Sequence, residues 1–327
     1  MPALHSGALV GLDVGGTKTH LRAIRQSEVI SDTVVPSGDW TVADVDKAAA
    51  RLCEVIEHSL PPSTGISALA VGANGCDSAL RCLQLQTALE RALRVPCLVR
   101  NDAELLVPAA GLTAGIGLVA GTGSVAVGRA ADGSPVFVGG WGWLLGDEGS
   151  ASGLLREATK ASLAARDRGE QPDLLAELLL RSYGVTEVAD LPDRMAAEPG
   201  AGGWGRRATL VFQALEGGST LAAHVVEEGA AALARMVAGV HSRAPGAPDV
   251  VVAGGVILRQ ESLFTAFERR LSAVLPSVRI HRLAVAPVHG AVRLAERLAG
   301  AKTGLSGVRV AEPPARGGAP DVTGRAE

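Results

Sequence analysis

The chain has 327 residues, of which 47% are hydrophobic and only 3% aromatic, and its formal net charge is −3 at pH 7. This length predicts two domains, and the composition predicts cores filled mainly by aliphatic side chains. Because the sequence has neither a basic block nor a run of about twenty apolar residues, we expect neither nucleic acid nor a membrane as a partner.

The four cysteines, Cys53, Cys76, Cys82 and Cys97, all lie in the first third of the chain. They lack the CxxC spacing of a zinc or redox site. The first residues, MPALHSGALVG, lack the charged start and long apolar core of a signal peptide. We therefore expect reduced core thiols in a cytoplasmic protein.

The first part of the chain alternates strand and helix signals. Apolar runs predict strands at 8–14, 20–24, 29–35, 66–72 and 97–100. Apolar residues at helical spacing predict helices at 42–59 and 79–93, followed by a short helix at 103–110. The strand 97–100 delivers the pair Asn101-Asp102 at its carboxyl end.

A second strand, glycine turn and strand begin near residue 115, where GLVAGTGSV (117–125) partly repeats GLDVGGTKT (11–19). The shared pattern predicts a duplicated fold. Beyond it we expect a polar helical insert up to about residue 220 and a disordered tail at 301–327. The remaining predicted elements are strands at 125–129, 249–253 and 278–285 and helices at 150–165, 221–242, 261–274 and 288–299.

The first glycine turn has the chemistry of a phosphate site, although a glycine pair between strands often only reverses the chain. Consecutive glycines leave backbone N–H groups open to an anion, and hydroxyl groups and a lysine follow at 17–19. Asp13, just before the turn, would be costly to bury without a compensating cation. Mg²⁺ bound through water would supply that charge.

Two familiar phosphate motifs do not fit. The first turn lacks the GxxxxGK[ST] spacing of a P-loop. GIGLVA (115–120) and GTGSVA (121–126) match GxGxxG/A, but a strand follows them where the dinucleotide motif needs a helix. A dinucleotide-binding dehydrogenase is therefore not favoured.

These motifs together resemble the BadF/BadG/BcrA/BcrD ATPase family, of the actin/hexokinase/Hsp70 superfamily, and its N-acetylglucosamine kinase members. The resemblance extends over about residues 8–300. It is carried by GLDVGGTKT, VAGTGSVAVG (119–128), RNDAE (100–104), VVAGGVI (251–257), PVHGAVRLA (287–295) and, most specifically, GGWGWLLGDEGSASGL (139–154).

The resemblance implies an α/β fold of two actin-like, ribonuclease H-like ATPase domains, with duplicated mixed sheets flanked by helices around an interdomain cleft. The domains would span 1–112 and 113–287, with helix 288–299 packing back on the first. The implied activity is ATP- and Mg²⁺-dependent transfer of the γ-phosphate to the 6-hydroxyl of an amino sugar, N-acetylglucosamine or glucosamine, by a homodimer.

The resemblance also implies roles for individual residues. Asp102 would accept the proton of the sugar hydroxyl, and Asp13 would hold Mg²⁺ through water. The nucleotide would be bound by Gly15, Gly16, Thr17, Lys18, Thr19, Gly121, Thr122, Gly123, Ser124, Gly254 and Gly255. The sugar would contact Trp40, Asn101, Asp102, Thr122, Gly140, Trp141, Gly142 and Asp147, with Glu148 as a further acid beside it.

Each of these assignments has an alternative in local structure. Asn101 and Asp102 are also typical of a helix cap. Asp147, Glu148 and Ser150 would also complement the start of a helix. Trp143 is expected in the core.

Two other functions remain open. One is an ATP-hydrolysing activator of a dehydratase or reductase, which needs an iron–sulfur cluster held by cysteines of the second domain, whereas all four cysteines here precede residue 98. The other is a sugar-binding regulator without catalysis. One departure from animal N-acetylglucosamine kinases also leaves the sugar open: in SGDW (37–40), Gly38 replaces an asparagine.

Overall fold

The computed structural model describes residues 7–198, 200–246 and 248–305. Within these residues the strands are β1 (Ala8–Val14), β2 (Lys18–Arg25), β3 (Glu28–Pro36), β4 (Ile66–Ala73), β5 (Cys97–Arg100), β6 (Ile116–Ala120), β7 (Ser124–Arg129), β8 (Pro135–Gly139), β9 (Asp249–Ala253) and β10 (Arg279–Arg282).

Several of the longer α-helices begin at a polar side chain that caps them. Asp44, Ser78, Ser150 and Ser219 each accept a hydrogen bond from a backbone N–H of the first turn that follows. The helices are α1 (Val45–Ser59), α2 (Ala79–Leu93), α3 (Leu106–Ala109), α4 (Gly142–Leu145), α5 (Ala151–Asp167), α6 (Leu174–Tyr183), α7 (Leu191–Ala196), α8 (Gly200–Gly205), α9 (Thr209–Glu216), α10 (Thr220–Arg243), α11 (Gly255–Arg259), α12 (Glu261–Val274) and α13 (Val288–Leu305), with 3-10 helices at Asp102–Leu105 and Val188–Asp190.

Two five-stranded sheets have the same connectivity. Their orders are β3-β2-β1-β4-β5 and β8-β7-β6-β9-β10. In each sheet the first three strands form an antiparallel meander, and the last two run parallel to the first. The predicted duplicated fold of mixed sheets flanked by helices is confirmed.

Each sheet has its own core. On one face of the first sheet, aliphatic side chains pack against α1 and α2. On its other face α13 crosses back over β1 and β4. Gly11 permits this close approach, because a Cβ there would lie 2.6 Å from the backbone nitrogen of Val292. The second sheet packs against α10 and α12 in the largest core.

The segment between α5 and α10 differs from its prediction. We predicted a polar insert, but α6 and α9 bury Leu175, Leu179, Val211 and Phe212 in the second core. The segment is thus an integral helical layer. Its apolar residues are spaced for amphipathic helices, and its many charges mask this spacing in the sequence.

The last helix ends at Leu305 instead of at residue 299, so the first five residues of the predicted disordered tail are helical. Residues 306–327 lie outside the described residues. In the part of the chain that the structure describes, no helix combines the length and apolar character needed to cross a bilayer.

Candidate active site

Three acids meet at the carboxyl edge of the first sheet. Because β1, β4 and β5 are parallel neighbours, the residues that follow them lie at the same edge. Asp13 lies near the end of β1, Asp77 follows β4, and Asp102 follows β5. Burial, together with the charges of Asp13 and Asp77, raises the pKa of Asp102 from 3.8 to about 7. A carboxyl group with such a pKa exchanges protons readily near neutral pH.

Asn101 and Glu104 form the cap of the short helix that follows β5. The Asn101 side-chain oxygen accepts a hydrogen bond from the Ala103 N–H at 3.0 Å, and the Asn101 N–H donates to the Glu104 carboxylate at 3.3 Å. The Asn101 amide also donates to Asp77 at 2.8 Å. The cap that the sequence suggested is therefore present, and its capping-box contacts come from the side chains of Asn101 and Glu104.

Asp13 has the surroundings expected of a carboxylate that meets a hydrated cation. Burial raises its pKa to about 6, although His20 and Lys18 lower it. Within the described residues no three His, Cys, Asp or Glu side chains are placed to hold a metal ion together. A partly buried carboxylate beside a glycine turn would suit Mg²⁺, which keeps most of its water and binds through one or two carboxylates and phosphate groups.

Two buried hydroxyl groups stabilise the first glycine turn. Thr19 and Ser37 share a hydrogen bond of 2.9 Å, and Ser37 donates to the Gly15 carbonyl at 2.8 Å. Gly16, Thr17 and Lys18 are exposed at the tip. Of the five residues expected to bind phosphate at this turn, these three are exposed, Gly15 is partly buried, and Thr19 supports the turn from inside.

The second glycine turn is joined to the segment before α5. The Ser124 N–H donates to the Asp147 carboxylate at 3.2 Å, and the Ser124 hydroxyl donates to the Glu148 carbonyl at 2.8 Å. Gly123 is required here, because a Cβ would lie 2.8 Å from the other Asp147 oxygen. Asp147 is buried and has a φ of +59°. Burial raises its pKa, and the Ser124 N–H opposes that rise.

The start of α5 is also anchored to the second turn. The Ala151 N–H donates to the Gly121 carbonyl at 2.8 Å, and the Ser152 hydroxyl donates to the Thr122 carbonyl at 2.8 Å. The turn and the segment from 147 to 152 therefore form one unit, in which the expected sugar acid Asp147 is coupled to the expected phosphate turn.

A cavity of about 370 Å³ lies beside this unit. Gly121 and Thr122 line it together with Gly255, Arg206 and Arg259. Gly254, with a φ of +114°, lets the chain cross β6, because a Cβ there would lie 2.3 Å from the Ala120 carbonyl oxygen. The structure thus joins the second turn to the glycine pair after β9 around a space of nucleoside size.

The predicted sugar-contacting aromatic residues lie on different domains. Trp40 is partly buried in the first domain, where its indole N–H donates to the Asn74 carbonyl at 3.1 Å. Trp141 is 78% exposed in the second domain, between the exposed Gly140 and the partly exposed Gly142. Trp143 packs edge-on against Trp204, with ring centroids 4.6 Å apart, as expected of a core residue.

Several residues of the site were not found from the sequence. Asp77 was missed, although an acid shortly after a parallel strand is a usable signal. Arg206 and Arg259 carry no motif and reach the cavity only because α8 and α11 fold beside it.

The chain is similar in sequence to one family of ATPases and to two named kinases. The sequence model of the BadF/BadG/BcrA/BcrD ATPase family matches residues 10–295. The N-acetylmuramic acid/N-acetylglucosamine kinase of Clostridium acetobutylicum is 27% identical, over 88% of this chain and 97% of its own. The N-acetyl-D-glucosamine kinase of Dictyostelium discoideum is 23% identical, with the same coverage of both chains.

Among solved structures, a proposed N-acetylglucosamine kinase from Chromobacterium violaceum matches with a TM-score of 0.65 at 20% identity. The match covers 88% of this chain and 99% of that protein. At this identity the likeness concerns the fold, which is the two-domain actin-like fold of sugar kinases.

Proposed function

Because the chain belongs to the BadF/BadG/BcrA/BcrD ATPase family, we propose that it is an ATP-dependent kinase that phosphorylates the 6-hydroxyl of an amino sugar. Two relatives named as kinases of N-acetylated amino sugars support this proposal. The observation that carries it is Asp102, whose pKa of about 7 suits proton transfer and which lies where three parallel strands end.

In this proposal both glycine turns bind the triphosphate. Gly16, Thr17 and Lys18 offer backbone N–H, hydroxyl and ammonium donors from the first domain. Gly121, Thr122, Gly123 and Ser124 offer donors from the second, and the adenosine enters the cavity beside Gly255. Asp13 would hold Mg²⁺ through water, and the ion would neutralise charge on the phosphates during transfer.

Asp102 is the proposed base. The sugar O6 attacks the γ-phosphorus, the bond from that phosphorus to the β–γ bridging oxygen breaks, and the O6 proton passes to the Asp102 carboxylate. ADP then leaves with the bridging oxygen. Phosphoryl transfer depends mainly on positioning and charge. The alignment of the proton acceptor with O6 therefore matters more than its basicity.

The proposed sugar site combines residues of both domains. Asn101 and Trp40 contribute from the first, and Thr122, Asp147 and the segment Gly140–Gly142 contribute from the second. Gly38 has a φ of +66°, and a side chain there would meet open space. This left-handed backbone conformation favours glycine over residues with a Cβ, although the surrounding space is open. Because the asparagine amide is missing here, glucosamine and N-acetylmuramic acid should be tested beside N-acetylglucosamine.

The test is a coupled ADP-release assay over a panel of hexoses, amino sugars, N-acetylated amino sugars and N-acetylmuramic acid, with Asp102→Asn as the inactive control. We expect sugar-dependent ADP release for at least one amino sugar, with phosphorus NMR placing the phosphate on O6. ATP hydrolysis without sugar dependence, in a brown anaerobic preparation, would support the activator function instead. Sugar binding without ADP release would support a regulator. The homodimer and the cytoplasmic location remain predictions.

A further inference from the structure

An ion pair connects the two domains next to the proposed base. Glu104 belongs to the short helix that carries Asp102, and its carboxylate pairs with the guanidinium of Arg129. Arg129 is the last residue of β7, whose first residue is Ser124 of the second glycine turn. The Glu104 side chain is only 7% exposed. One short strand therefore spans the distance from the phosphate turn to the helix that holds the base.

Glu104 uses its two carboxylate oxygens differently. One oxygen accepts the Asn101 N–H at 3.3 Å, and the other pairs with Arg129. Asn101 in turn donates its side-chain amide to Asp77. A chain of contacts thus runs from Arg129 through Glu104 and Asn101 to Asp77. Asn101 and Glu104 lie on either side of Asp102 in the sequence, so these contacts hold the backbone of Asp102 on both sides.

The backbone around Asp102 also rests directly on the second sheet. A Cβ at Gly117, in β6, would lie 2.8 Å from the Ala103 carbonyl oxygen. The charged groups near Glu104 are Arg100, Arg129 and Arg297, which line a cavity of about 370 Å³ together with it. Burial raises the pKa of Glu104, while Arg100 and the Asn101 N–H lower it.

We propose that Glu104 is a positioning residue: held by Arg129, it makes the alignment of Asp102 depend on the state of the nucleotide turn in the second domain. This inference rests on the proposed kinase function. When a nucleotide orders the second turn, β7 is fixed, and Arg129 then fixes the helix of Asp102. A charge-assisted contact between a buried carboxylate and a partly exposed guanidinium suits this purpose, because such a contact is directional.

The kinetic test compares Glu104→Gln, Arg129→Gln, their double variant and Arg129→Lys. Glutamine at 104 keeps an acceptor for the Asn101 N–H and removes the charge that Arg129 meets. We expect each glutamine variant to lower kcat about 30- to 100-fold, because a small displacement of a reacting group lowers the reaction rate by about this factor. The KM values for sugar and ATP should change less than about threefold, since neither residue contacts a ligand in the proposed site.

The double variant should be no slower than either single variant, because both remove the same contact. Arg129→Lys should retain most of the activity. Glu261→Gln is the control: its partner Arg282 lies on the surface of the second domain, and the pair is largely exposed. A pair that served stability alone would lower the melting temperature and leave kcat per folded molecule unchanged, and that result would overturn the proposal.

Hydrogen exchange separates this inference from the proposed function. In wild-type protein, a non-hydrolysable ATP analogue should slow exchange of the backbone amides at 101–106, and Glu104→Gln should abolish this effect while nucleotide affinity is kept. The exchange comparison requires only that the protein binds nucleotide. It would therefore still show whether Glu104 couples the second glycine turn to the helix of Asp102, even if the protein phosphorylated no sugar. Equal protection in wild type and Glu104→Gln would overturn the coupling, as would a wild-type protein that binds no nucleotide.

Discussion

The Asp102 carboxyl group combines partial burial with two acidic neighbours, so its pKa rises from 3.8 to about 7. In the unfolded chain the group ionises near its ordinary pKa. Between about pH 4 and 7 the unfolded chain therefore binds fewer protons at this residue than the folded protein does, and folding stability falls as the pH rises through that window. Above pH 7 the folded protein carries the full cost of the buried charge.

Asp102→Asn should consequently stabilise the protein while it abolishes turnover. A pKa change of one corresponds to about 1.4 kcal/mol, and solvent in the cleft screens part of the cost. We expect the free energy of unfolding in urea to rise by about 1–2 kcal/mol at pH 8 and to change little at pH 4.5. Turnover should fall at least about 100-fold, the lower range for general base catalysis.

Asp132→Asn is the matched control for this measurement. Asp132 is exposed, and hydrogen bonds from Ser134 lower its pKa. Its removal should therefore give no gain in stability at pH 8. If Asp102→Asn were less stable than wild type at pH 8, or if it kept its activity, the assignment of Asp102 as a buried base would be wrong.

Asp102 also shows how much of the site could be predicted from the sequence. The motif RNDAE and the preceding apolar run placed Asp102 at a strand end, which the structure bears out. The position of Asp77 after a predicted strand could have been noticed, but the raised pKa of Asp102 could not be foreseen, because it depends on β4 lying between β1 and β5 in the sheet. That order is decided by packing across segments far apart in the chain.

At the scale of elements, α13 supports the helix that carries Asp102. Gly290, in the first turn of α13, faces that short helix: a Cβ there would lie 2.0 Å from the Leu105 carbonyl oxygen and 2.9 Å from the Ala109 nitrogen. Both neighbours are backbone atoms, which cannot rotate away. A side chain at this position must move the whole helix.

Gly290→Ala should therefore destabilise the protein by about 2 kcal/mol or more, in the range of overpacked core positions, and should also lower kcat. Gly300→Ala on the same helix is the matched control, because a Cβ there meets no atom within 4 Å. It should stabilise by about 0.5–1 kcal/mol through helix propensity. Thermal and urea unfolding would measure both variants, and equal effects would show that α13 does not dock as described.

Element boundaries were predicted best where caps or turn residues mark both ends. Helix α2 agrees with its prediction to the residue, since Ser78 caps its start and Arg94 ends it in the left-handed conformation. Strand β8 and the helices α4 and α11 were missed. Each is four or five residues long and is bounded by glycine on at least one side, so too few apolar positions exist to show a period.

At the scale of the whole molecule, the proposed ligands would bind between the two domains, which would then have to approach each other. The donors for phosphate are divided between the turns at 15–18 and 121–124, and the proposed sugar contacts are divided between Trp40 and the segment around Trp141. Ligands that bind both domains at once favour the closed arrangement. The duplicated sheets were foreseen from the repeated glycine turns, but the extent of closure depends on the ligands and has no signal in the sequence.

Trp141 provides a direct measure of closure. It is 78% exposed, and the neighbouring Leu144 and Leu145 are exposed as well, whereas Trp204 is buried. Acrylamide quenching of tryptophan emission in the free protein should therefore report mainly on Trp141. Addition of the sugar substrate together with a non-hydrolysable ATP analogue should lower the quenching constant markedly, because closure brings this segment against the first domain.

Trp141→Phe separates this signal from that of Trp40, the partly buried indole of the first domain. In this variant the response to ligands should largely disappear, while the aromatic ring should keep sugar KM within about threefold, since a phenyl ring still covers an apolar sugar face. Turnover by wild-type protein with unchanged quenching would mean that Trp141 stays in solvent throughout. The segment Gly140–Gly142 would then lie outside the sugar site, even though Asp147, a few residues further on, belonged to it.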